Sequence, residues 1–415
     1  MQQSTCIRLK NKVTETLTSK VDTKIIKKSL SDCHPVRIRW VTWWPVEYWT
    51  ERFNHLADYV EVEVVFLSRK SLLLPQNIDH SKWRFKYRTL SNKQDSTGYQ
   101  QASHAFMRLP RPWTLLEGDF DALVMTYSDP TCILAAIIGG QLRKKIFLFA
   151  PNTKEDSRKE SWLRELLKRY LLNSSDGVLV TGPLQREYAK CYVTKDSLIN
   201  SIGNPAPLLP NPDESRDSTR KEIQSIAANE DSEILLFVGR LSSEKGLHTL
   251  LESLSIYKMK QNLCPTLVII GDGPEENNLK NIAESKNLPV VFAGFKQGSS
   301  LSNYYSAADI FVLPSKSEPW GLVVNEAMQF GLPLILSNKV GSAPVLLGES
   351  GSESGVSFPS GDSLKLYECI QTILTNKDLR ESMGRNSSNI IKDHSIDAWC
   401  QAVLQSLQVS SLSNA

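Results

Sequence analysis

Short, nearly continuous apolar runs recur along the chain, and stretches of helical spacing separate them. RIRWVTWW from Arg37, VEVVFLS, a short segment at Phe85–Tyr87, Ala122–Thr126, KIFLFA, GVLVTG, Ile234–Val238, TLVII, VVFAGF, Asp309–Pro314 and 332–337 read as strands. The intervening stretches place apolar residues at helical spacing, as in Leu247, Leu250, Leu251 and Leu254, or begin at a proline, as at Pro130, Pro183 and Pro274. A strand, helix, strand alternation of this kind predicts an α/β fold. With 415 residues the chain has room for two such domains, each with its own core. The polar, proline-punctuated stretch at 205–215 reads as the linker. The expected organisation is an N-terminal extension over 1–34, a first domain over 35–206, a second over 207–385, and a final helix over 386–415 that returns to the first domain.

Composition narrows this reading. The chain is 41% hydrophobic and 22% charged, the balance of a soluble globular protein, and its net charge of +3 is too small and too evenly spread for a nucleic-acid partner. Cys6, Cys33, Cys132, Cys191, Cys264, Cys369 and Cys400 form no C-x-x-C pair, which predicts reduced thiols and a cytoplasmic protein. The scattered histidines suggest no metal site, and no run approaches the roughly 18 apolar residues of a membrane span. Residues 1–34 carry a mild basic excess and read as a poorly ordered arm.

The densest candidate chemistry lies in SKSEPWGLVVNEAMQFGLP, Ser315–Pro333. Directly after a strand comes a loop and then a helix, expected to open at Pro319, whose unpaired N–H groups over 320–322 offer an anion site. Asn325, Glu326 and Gln329 form its polar side. Glu318 stands on the lip and Glu326 about two turns in, roughly 12 Å apart were both helical. Carboxylates beside a phosphate site are useful as acceptors for hydroxyls on either side of it. Hydroxyl, diphosphate, hydroxyl describes a nucleotide sugar. A second cluster follows the Ile234–Val238 strand in GRLSSEKG, where Arg240 and Lys245 share one strand-to-helix loop. Two cations so placed suit a diphosphate, one through a planar fork and one as a point charge.

Together, S-x-S-E-P-W-G-L-V-V-N-E-A-M and G-R-L-S-S-E-K-G resemble the retaining nucleotide-sugar glycosyltransferases of family four. The resemblance implies the GT-B architecture: two facing Rossmann-like domains with a cleft between them, acceptor in the first and donor in the second. It implies catalytic roles for Arg240, Lys245 and Glu318. Donor contacts are implied from Gly239, Gly271, Gly273, Gly294, Phe295, Pro319, Trp320, Gly321, Leu322 and Glu326. Gly271 and Gly273 would flank the donor pocket, Gly294 and Phe295 would meet the nucleobase, Glu318 the hexose, and Glu326 the ribose. The expected reaction is transfer of a hexose, from a UDP-sugar or a GDP-sugar, to a hydroxyl of a glycan, lipid or small molecule. Configuration would be retained, with no cofactor or metal beyond the nucleotide sugar itself as co-substrate.

Over the first domain the resemblance is general. Trp44, Tyr48 and Tyr127 are the acceptor candidates, the first two in an aromatic loop that serves either as a stacking surface or as core. Many family members carry a histidine after the strand matching KIFLFA; here the chain reads Ala150-Pro151-Asn152-Thr153. That departure leaves a catalytically inactive donor-binding subunit as an alternative, beside a nucleotide-sugar epimerase on the same fold. The helix over 161–172 sets Trp162, Leu163, Leu166, Leu167, Tyr170 and Leu171 on one side and Arg164, Lys168 and Arg169 on another. Packing of that stripe on the first sheet is one expectation, and peripheral contact with an anionic membrane the other.

Overall fold

The computed structural model describes residues 36–43, 45–67, 80–90, 112–154, 161–261 and 264–412. In chain order the first half contains β1 (Arg37–Thr42), α1 (Glu47–Leu56), β2 (Glu61–Phe66), β3 (Lys86–Thr89), β4 (Ala122–Thr126), α2 (Pro130–Gln141), β5 (Ile146–Phe149), α3 (Trp162–Ser174), β6 (Gly177–Val180), α4 (Pro183–Lys190) and β7 (Ile199–Ser201). Its strands form one parallel sheet in the order β3-β2-β1-β4-β5-β6-β7.

The second half runs α5 (Arg216–Ile226), β8 (Ile234–Val238), α6 (Leu247–Gln261), β9 (Thr266–Ile270), α7 (Glu276–Ser285), β10 (Val290–Gly294), α8 (Gly298–Ala307), β11 (Ile310–Leu313), α9 (Leu322–Gln329), β12 (Leu334–Ser337), α10 (Ala343–Leu346), β13 (Gly355–Phe358), α11 (Ser363–Thr375) and α12 (Lys377–Ile390). Its sheet is also parallel, in the order β10-β9-β8-β11-β12-β13. Every residue of β8, β9, β11 and β12 is buried, because helices cover both faces of the sheet.

The last helix, α13 (Ile396–Leu412), leaves the second half and packs on the first. Its Trp399 lies 5.6 Å from the Trp40 ring and 6.1 Å from Trp49, and Cys400 and Val403 enter the same cluster. The first sheet thus has Trp40, Trp49, Phe53 and Trp399 on one face, and Leu123, Met125, Leu148 and Val178 on the other. Of the aromatic loop, Trp49 is core, and Trp44 lies outside the described residues, as do residues 1–34. Helix α12 continues through 385 to Ile390, so the return to the first sheet starts later than the sequence suggests.

Several local expectations are corrected. The third strand is Lys86–Thr89, not Phe85–Tyr87, and β7 and β13 carry no clear apolar signal. Helix α7 begins at Glu276, two residues past Pro274, which lies in the preceding turn. Helix α3 meets the packing expectation only in part: Leu167 and Leu171 of the stripe pack on the first domain's core, and Arg164 and Arg169 stay exposed. Lys168, Leu171 and Leu172 face inward, while Trp162, Leu163, Leu166 and Tyr170 are 67%, 60%, 55% and 57% exposed. The Lys168 ammonium donates to the Tyr188 hydroxyl at 3.0 Å and lies 4.6 Å from the Tyr192 ring centre. Those aromatics accommodate the cation, which leaves the larger apolar stripe facing out.

Candidate functional site

In an open parallel sheet, ligands gather beyond the strand carboxyl ends where neighbouring connections diverge. In the second sheet that point falls between β8 and β11, since β9 and β10 are added on one side of β8 and β12 and β13 on the other side of β11. The loop after β8 carries Gly239, Arg240 and Lys245; the loop after β11 carries Glu318, Pro319, Trp320 and Gly321. Both sequence clusters therefore meet at one crevice.

The loop after β8 ends in a single tight turn, Ser243–Lys245, stopped by Gly246 at φ 70°. A side chain at Gly246 would place its Cβ 2.1 Å from the Pro314 carbonyl oxygen, so a glycine lets the two loops touch. The Lys316 N–H donates to the Glu244 carbonyl at 2.7 Å across the same seam. The consequence is a direct ion pair between the Lys245 ammonium and the Glu318 carboxylate, both largely buried. Arg240 is exposed at the mouth. On the other flank, the Gly239 N–H donates to Ile270 O, Leu241 N–H to Asp272 O, and Gly271 N–H to Gly294 O. A Cβ at Gly271 would lie 2.0 Å from the Gly239 carbonyl oxygen, which ties Gly271 to this rim as well. A Cβ at Gly273 would lie 2.4 Å from the Leu241 carbonyl oxygen, and Phe295, 65% exposed, projects from the edge of the rim just beyond β10.

The helix after β11 does not open at Pro319. It starts at Leu322, with Gly321 as its cap at φ 87°, and Pro319 and Trp320 belong to the loop. Backbone pairing explains the change: Glu318 N–H donates to Lys339 O, Gly341 N–H to Glu318 O, and Ser342 N–H to Trp320 O. Residues 318–320 are thereby held extended, so Glu318 is not helical and the helical separation from Glu326 does not apply. The Trp320 carbonyl, not its N–H, is used in this pairing, so the N–H groups over 320–322 still stand at the amino end of the helix. The polar side of α9 is engaged by the protein itself. Trp320 Nε1 donates to Asn325 Oδ1 at 3.0 Å, and Gln329 donates to Pro207 O at 2.9 Å and accepts from Leu209 N–H at 3.0 Å. Tyr305, fully buried, donates its hydroxyl to Glu326 at 2.8 Å. Burial pushes the Glu326 carboxyl above its ordinary range, and the Tyr305 hydrogen bond opposes that shift.

Tyr305 is a supporting residue that the sequence does not reveal, since an aromatic in a helix before a strand has no distinctive spacing, whereas Asn325 lies on the polar side that the spacing marks out. Trp320, expected as a donor contact, has a side chain that is 4% exposed, with its ring edge facing Gly182 of the first domain.

The first sheet has its own point of divergence, between β1 and β4. Tyr127 lies just past β4, 7% exposed, and donates its hydroxyl to Asn152 Oδ1 at 3.1 Å. Asn152 stands in the segment where a histidine is absent. Asp129 is used locally, capping α2 by accepting from Thr131 and Cys132 N–H groups. Tyr48 is half-buried with the Arg52 guanidinium 5.2 Å from its ring centre. Arg52, wholly buried and pushed down to about 10 by that burial, donates to the Pro205 carbonyl at the start of the linker. A cavity of about 520 Å³ lined by Arg216, Asp309, Lys377 and Arg380 lies at the amino end of β11, away from the crevice.

Residues 218–390 match the family described as "Glycosyl transferases group 1". Sulfoquinovosyl transferase SQD2 of Arabidopsis thaliana is 33% identical over 154 residues, 37% of this chain and 28% of that protein. Alpha-monoglucosyldiacylglycerol synthase of Streptococcus pneumoniae is 31% identical over 173 residues, 41% of this chain and 39% of that protein. The first curated relatives are spanned over 28% to 53% of their own length. Among solved structures, sucrose-phosphate synthase from Thermosynechococcus elongatus superposes with a TM-score of 0.69 at 21% identity, covering 92% of this chain and 100% of that one. Anabaena HepE in complex with UDP and glucose gives 0.67 at 16% identity, over 90% and 100%. At such identities the likeness is one of fold. Over residues 218–390 the chain thus matches the glycosyl transferases group 1 family, and its two sheets form the α/β, two-domain GT-B fold.

Proposed function

We propose that the protein is a retaining, metal-independent hexosyltransferase that takes its sugar from a nucleotide diphosphate donor, a UDP-hexose before a GDP-hexose. The observation that carries this reading is the convergence of Arg240, Lys245, Glu318 and the amino end of α9 on one crevice. Arg240 and Lys245 bind the diphosphate and stabilise the negative charge that grows on it as the glycosidic bond breaks. Glu318, already touching Lys245, receives the hexose hydroxyls, and Glu326, oriented by Tyr305, receives those of the ribose. Phe295 and Gly294 meet the base. The leaving phosphate oxygen takes the proton of the incoming acceptor hydroxyl on the same face of the sugar, which preserves configuration. Asn152, held by Tyr127, stands in for the absent histidine at the acceptor side.

The protein acts at an anionic membrane surface through α3, and a lipid hydroxyl is the acceptor we favour. Trp162, Leu163, Leu166 and Tyr170 are exposed together. Arg164 and Arg169 lie on the same helix, and Arg143, Lys144 and Lys145 follow the adjoining α2. Aromatic rings with cations at their border suit a lipid headgroup layer. No helix among the described residues is long and apolar enough to cross a membrane, so this contact is a surface one.

A thermal-shift screen against nucleoside diphosphates and their sugars tests the donor assignment. Ligand at 100 times its dissociation constant stabilises by about 2.7 kcal/mol. A shift with a nucleoside diphosphate and its sugar is expected; no shift with any of them would overturn the reading.

A further inference from the structure

Gln185 is the third residue of α4 in the first domain and is completely buried. Its Nε2 donates to the Pro319 carbonyl of the second domain, next to Glu318. Its Oε1 is buried without a hydrogen-bond partner. A buried amide that leaves one end unsatisfied carries a cost that packing alone would not select. The neighbouring positions are shaped around the same contact. A Cβ at Gly182 would lie 2.7 Å from Trp320 Cζ3, and one at Gly341 would lie 1.8 Å from the Pro319 oxygen and 2.8 Å from Gln185 Nε2. Two glycines, one from each domain, therefore allow the amide and the indole to seat. On its other side Trp320 is held by Asn325, and residues 318–320 are zipped to 339–342. The segment bearing Glu318 is thus fixed from within its own domain and, through Pro319 and Trp320, from across the cleft.

We infer that Gln185 and Gly182 position the Glu318 loop for transfer, making its working geometry conditional on apposition of the two domains. This rests on the hexosyltransferase reading. The nucleotide is contacted by the second domain alone, whereas the loop that carries Glu318 is also held by α4 of the first domain through Pro319 and Trp320. Closure thereby assembles the reactive arrangement without being needed to hold the nucleotide. Transfer is sensitive to errors of about 1 Å in such an arrangement.

The test uses the full chain and three variants. Gln185→Leu keeps volume but cannot donate; Gly182→Ala intrudes on the Trp320 ring; and the pair Gly182→Ala with Trp320→Phe trims the ring edge that the new methyl meets. Each is assayed for kcat and KM with UDP-hexose, for the Kd of UDP by calorimetry, for melting temperature, and for radius of gyration by solution X-ray scattering. Gln185→Leu and Gly182→Ala should lower kcat by about tenfold or more, leave the UDP Kd within about twofold, and enlarge the radius of gyration. The double variant should recover part of the turnover and compactness lost in Gly182→Ala. Turnover within about twofold of the parent in both single variants would overturn the inference. So would UDP affinity falling as far as turnover, or a double variant that turns over no faster than Gly182→Ala. Should the parent itself transfer no hexose, the functional reading fails, and scattering decides the contact alone: an unchanged radius in Gly182→Ala then overturns it.

Discussion

Lys245 and Glu318 contact each other across two loops, so on the proposed reading a diphosphate arriving at Lys245 competes with a carboxylate already there. The lysine is therefore directed before the donor comes, and preorganised charge of this kind matters more to the transition state than to binding. Replacing Lys245 or Arg240 by Ala should reduce turnover on the order of a hundredfold, with a smaller loss of donor affinity. Steady-state kinetics with circular dichroism as a fold control checks this; near-normal turnover in either would remove that cation from the mechanism. The two glutamates should separate by ligand. Calorimetry on Glu326→Gln should show UDP and UDP-hexose weakened alike, and on Glu318→Gln the sugar-bearing ligand weakened while UDP is spared. Equal weakening in Glu318→Gln would make that residue an organiser of the loop. Glu326 also carries a pH signature. Because burial raises its folded pKa above the unfolded value, the protonated form favours the fold, and that contribution is lost as pH rises through the folded pKa. Glu326→Gln removes the titration, so its melting temperature should exceed the parent's most at pH 8 and least near pH 5. A pH-independent difference would contradict the assignment.

At the scale of elements, what could be read from the sequence follows burial. Strands β8, β9, β11 and β12 are covered on both faces and appear as unbroken apolar runs, so their positions were legible. The strands missed or displaced, β3, β7 and β13, all lie at sheet edges, where one flank lacks a neighbour and the apolar pattern thins. Prolines marked the starts of α2 and α4 but not of α9, where pairing of 318–320 with 339–342 draws Pro319 out of the helix. Helix α3 shows the limit of periodicity, which finds a stripe but not the direction it faces. Its exposed face yields a prediction. The protein should co-sediment with phosphatidylserine vesicles and not with phosphatidylcholine vesicles, less so at high salt. Trp162→Ser with Leu166→Ser should abolish this while leaving the melting temperature unchanged, as neither side chain enters the core. Binding unaffected by those substitutions would assign the contact elsewhere.

For the molecule as a whole, the two sequence clusters around Arg240 and Glu318 were visible because each is contiguous in the chain. The contact of Gln185 and Gly182 with Pro319 and Trp320 was not, since it joins two domains and has no local pattern. The final helix binds the ends of the design together, with Trp399 against Trp40. On the proposed reading, Arg240 and Lys245 supply the positive charge that a divalent ion would otherwise bring to a diphosphate. Turnover should therefore persist in EDTA, and loss of most activity that magnesium or manganese restores would refute metal independence. The most direct test of the account follows the donor by proton NMR, with UDP-hexose, the protein and acceptor hydroxyls presented on lipid, glycan and small molecules. Release of UDP matched by a glycoside of the donor's anomeric configuration is the predicted result. Free hexose without acceptor, a product of inverted configuration, or a bound donor that no acceptor consumes would contradict it.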